Sequence, residues 1–470
     1  MLPFFIYFQP MKTNRFTSFL LFVSIITCVA CKKDCPPDNT VVNPPVQNDY
    51  QQYGIPFDSV PETKNIVMYE VNLRAFSSGG NIQGIINRLD QLEALHVNVI
   101  WLMPIYPIGQ INSVNSPYCV KNYYEVGSEY GTLADLRTLT TEAHNRNIAV
   151  VLDWVANHTA WDNPWVAQHP DWYSQDGSGN IIIPPGTNWN DVADLNFSNT
   201  TMRANMIDAM KYWTLEANVD GFRCDYADGV PFDFWKQALD TLNTIPNRNL
   251  IFLAEGTRAD HYDAGFQMTY AWDFYTSVKN VFAGSAPSTL YTTNTAEYAG
   301  VPAGNRKLRF TTNHDQSAWE ATPMTIFNGK AGATCASVIT TFYNGVPLIY
   351  TGQEVGRVST VPFFSNSPIN WTVNLDMQQN YRDMLSFYAS SEVARFGTPT
   401  PYTDANVVCF KKVLNADQVV VIANVRNANT NYSIPTALLN STWTNALTGA
   451  SVTLGNSLSL SAYQYLILKN

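Results

Sequence analysis

From about residue 62 onward, short runs of apolar and β-branched residues alternate with longer stretches in which apolar positions recur at helical spacing. Eight apolar runs stand out, over 66–71, 97–102, 149–152, 221–224, 250–254, 268–271, 308–311 and 347–350. Short β-branched and apolar runs alternating with longer helical stretches are the mark of repeated βα units and a parallel sheet. Eight such units predict an α/β fold, a closed (β/α)8 TIM barrel over 62–396.

Two segments break this rhythm. Between the third and fourth strands, 157–201 is rich in Trp, Pro, Asp, Asn and Gly and has little helical period. It reads as a short excursion leaving the barrel at the carboxyl ends of its strands, where substrate-binding loops originate. After Gly397-Thr398-Pro399 the pattern changes to short strands such as Val407-Val408-Cys409-Phe410 and Gln418-Val419-Val420-Val421-Ile422, and it runs on to Leu466-Ile467-Leu468. This predicts a C-terminal antiparallel β-sandwich over 397–470.

The front of the chain belongs to neither. Met11-Lys12-Thr13-Asn14-Arg15 and the apolar run 16–30 have the charged and hydrophobic regions of an export signal, and the run is too short to favour a spanning helix. Cys28-Val29-Ala30-Cys31 resembles a bacterial lipobox, with Cys28 where that pattern usually has leucine. The expectation for 1–31 is therefore a signal that leaves Cys31 lipidated, and for the protein an exported, membrane-anchored lipoprotein at the cell surface or in the periplasm; simple secretion is the alternative. Residues 32–61, polar and proline-rich, read as a flexible tether.

Composition narrows the function. Charged residues make up only 14% of the 470 and hydrophobic ones 46%, as in a folded chain with a sizeable core. A net charge of −10 with no basic run argues against a nucleic-acid partner. Outside the leader region the cysteines, Cys119, Cys224, Cys335 and Cys409, lie far apart and form no CxxC pair, so neither a disulfide framework nor a zinc site is expected.

The chemistry lies at the strand ends. Leu152-Asp153-Trp154-Val155-Ala156-Asn157-His158, Gly221-Phe222-Arg223-Cys224-Asp225, Phe252-Leu253-Ala254-Glu255-Gly256 and Thr312-Asn313-His314-Asp315 each deliver a carboxylate to one mouth of the barrel. Asp225 and Glu255 are one βα step apart, which places them on neighbouring strands and makes a separation near ~5 Å plausible, that of a retaining glycosidase pair. Arg223, two positions before Asp225, points the same way and would hold it ionised. Glu255 ends an apolar run, where burial raises a carboxyl pKa towards the proton-donor role.

This combination resembles the α-amylase family of glycoside hydrolases, from about Asn65 to the end of the chain. The resemblance implies Asp225 as nucleophile, Glu255 as general acid/base and Asp315 as the third acid, which binds hydroxyls of the distorted sugar. It further implies Arg223 as support for the nucleophile, Asp153 as its partner, His158 and His314 as hydroxyl binders, and Tyr118 as the stacking tyrosine. Tyr130-Gly131-Thr132 and Gly345-Val346-Pro347-Leu348-Ile349-Tyr350-Thr351-Gly352-Gln353-Glu354 add to it. Two departures matter. Asp228 and Gly229 stand where many α-amylases have Lys-His, so recognition on the acceptor side must differ. Asn157 matches a family calcium ligand, but Asn196 stands where another is often aspartate, which removes an anionic oxygen that calcium prefers. Either calcium is bound there or the two asparagines simply hydrogen-bond the excursion together. No organic cofactor is implied.

The function expected is thus a retaining hydrolase of α-1,4 bonds in starch or maltooligosaccharides. A transglycosylase using the same intermediate, and a non-catalytic glucan-binding surface protein, are the alternatives. The tryptophans of the excursion, Trp161, Trp165, Trp172 and Trp189, are either glucose platforms or an aromatic minicore.

Overall fold

The computed structural model describes residues 48–470; the expected export signal and residues 32–47 of the expected tether lie outside the described residues. The strands in chain order are β1 Met68–Val71, β2 Val99–Leu102, β3 Ala149–Trp154, β4 His158–Ala160, β5 Val192–Asp194, β6 Gly221–Cys224, β7 Ile251–Ala254, β8 Met268–Tyr270, β9 Arg306–Arg309 and β10 Val346–Tyr350. Eight of these close into a parallel barrel in the order β1-β2-β3-β6-β7-β8-β9-β10, with β10 returning to β1 through Met68 opposite Leu348. The (β/α)8 expectation holds, and each of the eight apolar runs contains or overlaps a barrel strand.

Side chains divide between the two faces as the pleat requires. In β2, Val99 and Trp101 join the cluster inside the barrel, whereas Ile100 and Leu102 pack outward against the helical layer. One level above that inner apolar cluster, towards the strand carboxyl ends, the inward positions are no longer apolar: they are Glu70, Asp153 and Arg223, each two residues beyond an inward or axial position of its own strand. Burying charge there is costly unless the groups satisfy one another, and this layer forms the floor of the site described below.

The excursion after β3 is held by the antiparallel pair β4–β5. The C-terminal part contains β11 Thr398–Tyr402, β12 Val407–Leu414, β13 Asp417–Asn424, β14 Thr430–Ser433, β15 Ser441–Asn445, β16 Ser451–Leu454, β17 Ser457–Leu460 and β18 Tyr465–Lys469. Six form one antiparallel sheet, β11-β12-β13-β18-β15-β16, and β14–β17 form a two-stranded ribbon. Val407, Cys409, Val420 and Ile422 pack beneath the ribbon with Tyr432 and Leu460. The alternate residues Val408, Phe410, Val419 and Val421 join the core shared with the barrel helices. The sandwich is therefore unequal, with one broad sheet and one narrow layer.

Residues 48–61 correct the reading of 32–61 as a flexible tether throughout. Tyr50 donates to Asp208, and the Tyr53 N–H bonds the Leu215 carbonyl at 2.8 Å. Phe57 stacks on His144 at 4.4 Å. The segment is a strap over the barrel helix Thr200–Glu216 and its neighbours, and its polar composition concealed the aromatic residues that hold it.

Candidate active site

The nucleophile and acid candidates sit side by side because β6 and β7 approach closely. Gly221 has φ +149°, and a Cβ there would lie 1.9 Å from the Ile251 carbonyl oxygen, so only glycine permits this pairing. Beyond the pairing, Glu255 N–H bonds the Cys224 carbonyl at 2.9 Å. Tyr226, in the left-handed region at φ 41°, turns its N–H onto Glu255 Oε2 at 2.7 Å.

Arg223, fully buried, organises the floor. Its Nη1 lies 2.9 Å from Asp153 Oδ1 and 2.8 Å from Asp225 Oδ1, and Nε donates to the Tyr270 hydroxyl at 3.2 Å. Nη2 lies 2.8 Å from Glu255 Oε1, an ionic contact without the alignment of a good hydrogen bond. The guanidinium also lies 4.8 Å from the centre of the Trp101 ring. One cation thus touches three carboxyl groups from three strands.

A second chain of contacts begins at Asp153. Its Oδ2 accepts from Trp101 Nε1 and lies 3.0 Å from the Tyr118 hydroxyl, which is 2.9 Å from His314 Nε2. The rings of Tyr118 and His314 stack at 5.4 Å. His314 Nδ1 lies 2.5 Å from Glu70 Oε1, which also takes the His314 backbone N–H at 3.3 Å. Because Oε1 accepts from the backbone, Nδ1 is best read as the protonated nitrogen, leaving Nε2 to accept. Asp315 Oδ2 stands 3.6 Å from Nε2.

Above this floor opens a cleft of about 510 Å³. Tyr118, His158, Asp225, Glu255, His314 and Asp315 all line it. Arg223 and Asp153 lie beneath, in contact with its lining. The described structure therefore brings these eight candidates together; Asn157 and Asn196 do not line the cleft.

With three carboxyls against one guanidinium and little solvent, the floor favours retained protons. Burial raises Asp225, Glu255 and Asp153 above the ordinary carboxylate range; Arg223 opposes the rise in each. Arg223 alone would have held Asp225 ionised, but it shares Nη1 with Asp153, whose charge pushes the same way as burial. Burial lowers His158 and His314 to about 4, so both are neutral near pH 7.

The residues do not build a convincing calcium cage. Asn196 Oδ1 already accepts the Ser198 N–H at 3.0 Å, and the Asn157 carbonyl takes the Leu195 N–H at 3.2 Å. Among the described residues no group of three or more His, Cys, Asp or Glu converges as a metal site. A Cβ on Gly229 would lie 2.9 Å from Asn157 Oδ1, so that oxygen borders the Gly229 backbone, but neutral amide oxygens are a weak donor set for calcium. Asp228, in the family's lysine position, binds the Thr257 N–H at 3.0 Å and His261 Nε2 at 2.7 Å, tying the loop after β6 to that after β7. The excursion tryptophans divide between the two readings. Trp165 and Trp172 pack together at 5.1 Å as a minicore, whereas Trp189 lines the cleft against His158 and Tyr226.

Comparison with known proteins adds independent evidence. The model of the alpha amylase catalytic domain matches residues 42–181. Alpha-amylase 2 of Dictyoglomus thermophilum is 25% identical over 404 residues, 80% of this chain and 69% of that protein. The crystal structure of an alpha-amylase from Lactobacillus plantarum superposes with a TM-score of 0.79 at 27% identity, covering 88% of this chain and 100% of that one. The chain is a glycoside hydrolase similar to the α-amylases. A noncanonic maltogenic alpha-amylase from Thermotoga neapolitana is also similar, with a TM-score of 0.78 at 26% identity, covering 87% of this chain and 99% of that one. Sequence reasoning missed Glu70, Trp101 and Tyr270, which contact the floor, and Trp319 and Phe363, which line the cleft. Glu70 alone carried a signal, an acid inside an otherwise apolar strand.

Proposed function

We propose that the enzyme cleaves α-1,4-glucosidic bonds of starch or maltooligosaccharides with retention, through a covalent glycosyl-aspartate. The observation that carries this reading is that Asp225 and Glu255 contact adjacent nitrogens of one guanidinium, each at 2.8 Å. A shared guanidinium favours the separation of about 5 Å used by retaining pairs over the wider gap of about 6.5–9.5 Å that admits water between inverting ones.

Asp225 attacks the anomeric carbon while Glu255, whose pKa burial raises above the ordinary carboxylate range, delivers a proton to the departing glycosidic oxygen. Water then enters on the leaving-group side, gives a proton back to Glu255 and releases the sugar from Asp225. Tyr118 stacks on the cleaved sugar, and His158, His314 and Asp315 bind its hydroxyls. The Arg223 charge offsets the carboxylates that both steps require.

Replacing Asp225 by Asn tests the assignment through reducing-sugar release from soluble starch. The expected loss is at least about a thousandfold, since a neutral amide supplies no nucleophile. Undiminished release by the variant refutes it.

A further inference from the structure

Beyond Asp315 the cleft wall continues as an aromatic ridge that the catalytic reading does not use. Trp319 follows Asp315 by four residues in the helix His314–Trp319, so the two occupy one helix face, a turn apart. Trp319 is 60% exposed, although it lines the cleft. Its ring lies 5.7 Å from Phe363, tilted by 30°. Phe363 in turn lies 5.6 Å from Tyr118 and 5.3 Å from His314. From the ring that stacks on the cleaved sugar to the exposed indole there are thus two steps, each comparable to the span of one pyranose.

The ridge is anchored from below. Buried Arg74 donates from Nη1 to the Asn115 carbonyl at 2.8 Å and to the Phe363 carbonyl at 3.1 Å, and it forms a two-pronged pair with Glu129. Asn115 Nδ2 donates to the Phe364 carbonyl at 2.7 Å. The Val361 N–H bonds Ser317 Oγ at 3.2 Å, tying the loop that carries Phe363 to the helix that carries Trp319. The loop that backs the indole is thus held in place, so little loop freedom remains to be lost on binding.

We propose that Trp319, backed by Phe363, is the stacking platform for a glucosyl unit of the substrate beyond the one held by Tyr118 and His314. The apolar face of a pyranose ring matches a flat aromatic surface, and Val114, on the facing loop, adds to the same wall. This inference rests on the α-glucan reading of the cleft.

The test measures binding of maltoheptaose by calorimetry to the Asp225→Asn protein, with and without Trp319→Ala, while reducing-sugar release by the unaltered enzyme reports separately on the α-glucan reading. Trp319→Ala is expected to raise Kd about tenfold, and Trp319→Phe to restore most of the affinity, as stacking rather than general packing requires. In the active enzyme the Trp319→Ala loss falls mainly on KM. A Kd for the Ala variant within about twofold of its parent overturns the platform even if starch is hydrolysed normally.

Discussion

His314 Nδ1 and Glu70 Oε1 lie 2.5 Å apart, both buried, and Glu70 reaches the site from β1, two strands round the barrel from β9, which precedes His314. The contact fixes the imidazole's tautomer and orientation, and so determines what Nε2 presents to Tyr118 and to a sugar hydroxyl. Glu70 is in this sense a positioning residue. Replacing it with Gln keeps the accepting oxygen and is expected to retain most activity. Glu70→Leu removes the acceptor and is expected to lower kcat/KM by about 10–100-fold on maltooligosaccharides. Equal losses in both variants would mean that the charge, and not the acceptor, is what matters.

The pH dependence of catalysis follows from the crowding of carboxyls on Arg223. In the proposed mechanism Asp225 must be ionised to attack, and burial together with Asp153 raises its pKa above the ordinary aspartate range. Protonation on acidification therefore sets in earlier than for an exposed aspartate. The acid limb of kcat/KM is expected well above pH ~4, as a property of the coupled group rather than of one residue. Because these groups are buried, added salt should move the limb little. A limb below pH ~4 in the measured profile would contradict this.

Stability should also decline on the alkaline side, through Glu354. Burial pushes this carboxyl from the ordinary 4.5 up to about 7; Oε1 accepts from Tyr69 at 2.9 Å and Oε2 has no partner. The folded state thus binds a proton that the unfolded chain releases near 4.5. Stability from this group is complete below that pH and is lost as pH rises through about 7. The loss is on the order of 3 kcal/mol. Thermal unfolding from pH 5 to 8 should show Tm falling in the parent and falling less in Glu354→Gln. Parallel Tm curves for the two proteins would assign the decline elsewhere.

Much of this was legible in the chain. Most barrel strands contain a short buried apolar run, which identifies itself without tertiary knowledge, whereas β9, Arg306–Arg309, is largely charged. The acids Asp153, Asp225, Glu255 and Asp315 end or follow strands, so the barrel rule alone brings them to one mouth. Arg223 was legible for the same reason, by its two-residue offset from Asp225. Trp319, at the end of a short helix, and Phe363, on a loop, are by contrast 44 residues apart with no shared period, so nothing local joins them.

The sequence by itself therefore determined the strands, their order and the set of reacting groups, because hydrophobic periodicity and strand-end position are local properties. Only the tertiary structure decided which groups compete for one guanidinium, which histidine nitrogen carries the proton, and which aromatic residues extend the cleft. These depend on distances between side chains far apart in the chain, and on the solvent excluded when they meet.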